Sequence, residues 1–129
     1  MSRTIVIIDD VQQEAEQAFR AVRSADATAD VLFFDQPLEA FETVKLLQPD
    51  LLIIDFMMPA CDGITLLRWL RNLDILAPAI LTMPSGVKLE NTGRLVPKNN
   101  VIKCLQKPYD FDDIHQAILD GLLANTLIQ

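Results

Sequence analysis

Cysteine is scarce in this chain: Cys61 and Cys104 are the only two among 129 residues. They form no CxxC and no metal-ligand spacing, which argues against a thiolate metal centre or a redox pair. Two reduced thiols in a reducing compartment is the favoured reading. Histidine is scarcer still, with His115 alone. A lone histidine on a helix reads as a surface residue and is assigned no catalysis. Long apolar runs are missing: stretches such as Leu51 to Ile54 are far too short to cross a bilayer. Ile5 to Ile8 is too short for a signal-peptide core, and no small-residue cleavage site follows it. A cytoplasmic protein without a membrane partner is expected. Positive charge is also short, at 11 Lys and Arg against 18 Asp and Glu, a net charge of −7. Direct nucleic-acid binding needs a cationic surface, so a cation or a basic partner fits better.

What is present is apolar: half the residues are hydrophobic, enough for a buried core and against disorder. The length suits one domain, 1–129, and no repeat, low-complexity tract or linker divides it. Thr4 to Ile8 is a β-branched run without alternation, as in a strand buried on both faces. Gln12 to Arg23 places Ala15, Ala18, Phe19 and Val22 at helical spacing. Val31 to Phe34 predicts a second strand. A helix begins near Pro37, with Phe41, Val44 and Leu47 on one face, and ends before Gln48-Pro49-Asp50. Leu51 to Ile54 predicts a third strand running into Asp55. Asp62-Gly63 marks a loop before a helix over Ile64 to Leu73. Ala79 to Met83 and Val101 to Leu105 predict two more strands, and Asp112 to Leu123 a last helix. The alternation makes the fold class α/β with a parallel sheet. Pro84 to Asn100 carries Gly86, Gly93, Pro84, Pro97 and an Asn pair. A helix belongs between two parallel strands, and here it should be short, displaced or irregular.

Three carboxylates end two of the strands: Asp9 and Asp10 after the first, Asp55 after the third. Ligands of open parallel sheets bind beyond those strand ends, where strand order reverses. Clustered carboxylates raise one another's pKa unless a cation sits among them, and hard oxygens suit Mg²⁺. Lys107 ends the fifth strand before Pro108. It is either a counter-ion or the grip for an anion arriving on one of the acids. A carboxylate can attack a phosphoryl group, a reaction of positioning and charge neutralisation.

The ordered set Asp9-Asp10, Asp55-Phe56-Met57-Met58-Pro59, Asp62-Gly63 and Lys107-Pro108 resembles the receiver domain of two-component response regulators, in its chemotaxis-type single-domain form. The likeness covers essentially the whole chain. It implies a flavodoxin-like, doubly wound sheet of five parallel strands in order 2-1-3-4-5, a strand order that this family exemplifies. It implies that Asp55 is the phosphoacceptor for a histidine kinase or phosphotransfer protein. Mg²⁺ would be held by Asp10 and Asp55, by Asp9 mainly through water, and by the Met57 carbonyl. Lys107 would pair with the phosphoryl group, and Pro108 would be cis. Asp62 would be a turn residue shaping the loop into the third helix.

The family's Ser/Thr hydroxyl at the end of the fourth strand has three candidates here. Thr82 is the first choice and Ser85 the second; a gapless count from Gly63 puts Met83 there, which would remove the hydroxyl. Cys104 stands three residues before the lysine, where the family usually has Tyr or Phe. Met57 is expected to hinder the hydrolytic water and prolong the phosphoryl group's life. Trp69 reads as a partly covered surface aromatic, and Cys61 as a loop thiol near the pocket. The phosphoryl group would switch binding to a downstream protein, and a homodimer stays open. A pseudo-receiver that only binds proteins is the rival reading. An unrelated Mg²⁺-dependent phosphatase would need a second acid two residues after the nucleophile, where Met57 stands.

Overall fold

The computed structural model describes residues 2–96 and 101–128, with side chains described as far as 125. Five short strands build one sheet: β1 (Thr4–Ile8), β2 (Asp30–Phe34), β3 (Leu51–Asp55), β4 (Ala79–Met83) and β5 (Val101–Gln106). All neighbours are parallel, in the order β2-β1-β3-β4-β5. Among the described residues four α-helices connect or follow them: α1 (Gln12–Ala25), α2 (Pro37–Leu47), α3 (Gly63–Asn72) and α4 (Phe111–Ile128).

The flat hydrophobicity of β1, β3 and β4 follows from cover on both faces. Successive side chains alternate between two cores. Ile5, Ile7, Leu51, Ile53 and Ile80 meet Ala15, Ala18 and Val22 of α1 and Ile114, Ala117 and Ile118 of α4. Val6, Ile8, Leu52, Ile54 and Ala79 turn the other way, against Ala40 and Val44 of α2 and Leu66, Leu67 and Leu70 of α3. The edge strand β2 leaves Leu32 and Phe33 exposed, with Phe33 resting on Phe19 at 5.5 Å between ring centroids. Phe41 and Val44 face inward as their spacing predicts, but Leu47 is exposed because α2 ends there in the left-handed turn at Gln48. Trp69 is half-buried, edge-on to Phe41.

Between β4 and β5 the described residues contain one regular piece, a 3-10 turn over Leu89–Asn91. Pro97 and the Asn pair lie outside the described residues. The irregular stretch is strapped to α3. Arg68 donates to the Leu95 carbonyl at 2.5 Å, and Arg94 pairs with Asp62 and donates to Thr65 Oγ1 at 3.0 Å. Val87, Leu89 and Val96 close a small cluster over Phe56, Ile64, Leu81 and Met83.

Gly63 fixes how closely α3 approaches the end of β3. A Cβ there would stand 2.6 Å from the Asp55 carbonyl oxygen and 2.8 Å from Ile54 Cγ2. The first contact is with backbone, which cannot swing away. Gly63→Ala is therefore expected to cost about 2 kcal/mol or more in urea unfolding. Unchanged stability would mean that α3 can slide along the sheet.

Candidate functional site

The register Ile8↔Ile54 between β1 and β3 brings the ends of both strands side by side. The chain leaves β1 towards β2 and leaves β3 towards β4, on opposite sides, so a crevice opens there. Asp9 and Asp55 lie at its floor, 9% and 4% exposed. Asp9 Oδ1 accepts from Val11 N at 2.9 Å, which fixes its carboxylate as the chain turns into α1. Lys107 enters from the end of β5, its backbone N–H bonded to the Met83 carbonyl at 2.8 Å. The Lys107-Pro108 peptide is cis.

The Lys107 side chain is 9% exposed, and its ammonium sits among three carboxylates. It donates to Asp9 Oδ2 at 3.0 Å and to Glu14 Oε2, and lies 3.2 Å from Asp55 Oδ1. The last contact is an ion pair outside hydrogen-bond angles. Asp55 Oδ1 is thus buried with no hydrogen bond among the described residues. Burial alone would lower the lysine's pKa, but the carboxylates of Glu14, Asp9 and Asp55 outweigh it and hold the ammonium charged. Asp9 is raised, by burial first, against the opposing pull of Val11 N–H and Lys107. Asp55 is pushed up to about 6, by burial first and then by the charge of Asp9, with Lys107 opposing.

Oxygens of Asp9, Glu14 and Asp55 lie within 4.8 Å of one another. Asp10 is exposed and outside that trio, but it lines the same cavity of about 300 Å³ as Asp55, Met57, Ser85 and Lys107. This donor set, all hard oxygen with one oxygen lacking a hydrogen bond, fits a small divalent cation such as Mg²⁺. Met57 is 55% exposed at the cavity rim.

Thr82 is the register partner of Asp55 and so leaves the same sheet face. Its hydroxyl is buried, makes no hydrogen bond among the described residues and is not part of the cavity wall. Ser85 is part of that wall, while Met83 is buried on the opposite face with Phe56 and Ile64. Cys104 is exposed on β5, paired in register with Leu81. The pKa of both thiols is raised, by partial burial first and then by a nearby carboxylate, so neither is poised as a thiolate.

Asp62 does more than turn the chain: it caps α3, with Oδ1 accepting from Thr65 N at 2.8 Å. Glu14 and Arg94 went unseen in the sequence. Glu14 lies four residues after Asp10, one helical turn on, so it stays near the strand ends. An acid at a helix start has an ordinary explanation in the helix dipole, which hides such a signal.

The family model "Response regulator receiver domain" matches residues 5–119. Among curated proteins, the chain is 28% identical over 119 residues to "Probable C4-dicarboxylate response regulator DctR" of Priestia megaterium. That alignment covers 89% of this chain and 50% of the relative. The protein of the same name from Bacillus subtilis is 31% identical over 80 residues, 62% of this chain and 34% of the relative. The chain thus matches half or less of each of these relatives' length. Among solved structures, a response regulator receiver domain protein (CheY-like) from Methanospirillum hungatei superposes with a TM-score of 0.84. It is 17% identical, with 100% of both chains covered. A response regulator receiver domain protein from Clostridium thermocellum gives 0.83 at 22% identity, covering 98% of this chain and 99% of that one. At such identities the two structures speak for the fold.

An acid with a higher pKa in the folded chain binds its proton preferentially when folded. The stability Asp55 lends is complete below the unfolded value of 3.8 and drains away as pH rises through about 6. Above that, the ionised carboxylate costs about 3 kcal/mol without a divalent cation. Cation-free Asp55→Asn should therefore be more stable than wild type at neutral pH by about this amount in urea unfolding. The advantage should vanish near pH ~4. A less stable variant at neutral pH would contradict this electrostatic account.

Proposed function

The chain belongs to the response regulator receiver family, and on that premise we propose that it is a phosphoacceptor switch of a two-component system. The phosphoryl donor is a phosphohistidine of a histidine kinase or phosphotransfer protein. An Asp55 carboxylate oxygen attacks phosphorus; the P–N bond to the imidazole breaks, and the imidazole keeps the electron pair and takes up a proton. Asp9, Asp10 and Asp55, with the Met57 carbonyl, would hold Mg²⁺, which would neutralise charge on the phosphoryl oxygens. Lys107 supplies a second positive charge from the protein itself. The observation that carries this reading is the reach of one ammonium to Asp9 at 3.0 Å and to Asp55 at 3.2 Å.

Asp55 suits the role because it lines the cavity with Lys107, whose ammonium already stands 3.2 Å from its Oδ1. Thr82, with Ser85 as the alternative, supplies the hydroxyl that grips a phosphoryl oxygen. Thr82 would have to turn its unbonded hydroxyl towards Asp55, whereas Ser85 already borders the cavity. The phosphoryl group then biases two conformations, limited by its differential contacts with each. The protein acts in the cytoplasm as a switch for a downstream protein, not as an enzyme of steady turnover. A purely protein-binding pseudo-receiver is favoured by one observation, the irregular strapped segment between β4 and β5 beside the exposed Cys104.

Incubation with Mg²⁺ and acetyl phosphate, read by intact mass, separates the two. A single phosphoryl adduct is expected, absent in Asp55→Asn and after chelation of the metal. Lys107→Ala should form it at least tenfold more slowly, for loss of one charge-assisted contact. No adduct in wild type under any donor or metal condition overturns the phosphoacceptor reading in favour of the pseudo-receiver. In the same assay Met57→Asn is expected to lose its phosphoryl group several-fold faster (roughly 3- to 10-fold) by admitting water beside Asp55. An unchanged lifetime removes Met57 from the control of hydrolysis.

A further inference from the structure

An ammonium group has three N–H donors, and in the resting chain three carboxylates surround Lys107: Asp9, Glu14 and Asp55. Two of those donors are engaged, by Asp9 and Glu14, while Asp55 is paired by charge alone. A phosphoryl group on Asp55 brings further anionic oxygens that draw the ammonium towards them, in competition with the two hydrogen-bonded carboxylates. Asp9 is poorly placed to yield, because its other oxygen is held by Val11 N at 2.9 Å and its side chain is 7% exposed. Glu14 is different. Its side chain is 30% exposed, and among the described residues Lys107 is its hydrogen-bond partner. It stands on the first turn of α1, at the wall of the cavity that also contains Asp55 and Lys107. Three side-chain torsions let it swing into water without moving the helix.

We propose that Glu14 is a positioning residue that holds Lys107 in the unphosphorylated protein and competes with the incoming phosphoryl group for the ammonium. This rests on the phosphoacceptor reading and adds a brake to it. The Glu14–Lys107 pair stabilises the resting state and is broken when the phosphoryl group is bound. Breaking it in advance lowers the barrier, since the pair contributes to the ground state and not to the transferred state. Net charge at the pocket is a second route to the same acceleration, because an anionic donor is repelled by any nearby acid. The two routes differ in their dependence on contact. A competitor must touch the lysine; a repelling charge need only be close.

The test uses the full chain with Mg²⁺ and acetyl phosphate and follows the initial rate of adduct formation by intact mass. Glu14→Gln and Glu14→Ala are expected to react about tenfold faster than wild type, the worth of one charge-assisted contact. Glu14→Asp keeps the charge but withdraws it by one methylene, and is expected to be faster than wild type as well. Glu16→Gln removes the same charge from the same helix at an exposed position bonded to Gln12; it is expected to stay within about twofold of wild type. Rates unchanged in all three Glu14 variants overturn the proposal while leaving Asp55 as phosphoacceptor. So does an acceleration that Glu16→Gln reproduces, or one that Glu14→Asp lacks. If wild type and every variant fail to take up phosphate, the underlying reading falls and this one falls with it.

Discussion

One ammonium surrounded by buried carboxylates is the constraint on which the upper edge of this sheet depends. Two acids as deeply buried as Asp9 and Asp55 cannot both stay ionised so close together without positive charge between them. Lys107 supplies it from the far end of the chain, at a sequence separation of 98 residues from Asp9. The parallel topology makes that possible. Every strand ends at the same edge, so residues scattered through the sequence meet in one crevice. The cores below hold the strands in register, and the close approach at Gly63 fixes α3 against the backbone of Asp55.

The lysine satisfies the acids only in part. Asp55 keeps an oxygen without a hydrogen bond, and its carboxyl stays well above the ordinary range. A site in that condition favours any further cation that can enter. The same reasoning brings Glu14 into the account: it adds negative charge where there is already an excess, and it does so by occupying the lysine. Between β4 and β5, regular structure gives way to a strapped segment. Arg94 connects that segment to Asp62, the residue that caps α3 a few positions beyond Asp55.

The fold was legible because its signals are local and repeated. Runs that are apolar but for a threonine at residues 4–8 and 79–83, and wholly apolar at 51–54, identify central strands, and the helices between them carry clear apolar faces. The acids and Lys107 were legible because each ends a strand, where position alone predicts a meeting point. Three features were not. Glu14 is hidden by its ordinary place at a helix start. Arg94 acts from a segment without periodicity, so nothing in the sequence says which way it turns. The choice among Thr82, Met83 and Ser85 depends on where β4 bends away from the sheet, and one residue of difference reverses the face. In the structure Thr82 shares a face with Asp55, Met83 takes the other, and Ser85 reaches the cavity past the strand end.

The most direct measurement is a crystal structure grown with Mn²⁺, whose anomalous scattering locates the ion without assumption. A single strong peak is expected within bonding distance of Asp55 and the acids of the β1–α1 loop, with Lys107 still beside them. A map without a peak there, or with the ion bound elsewhere on the surface, would contradict the view that these carboxylates form a cation site completed by the lysine.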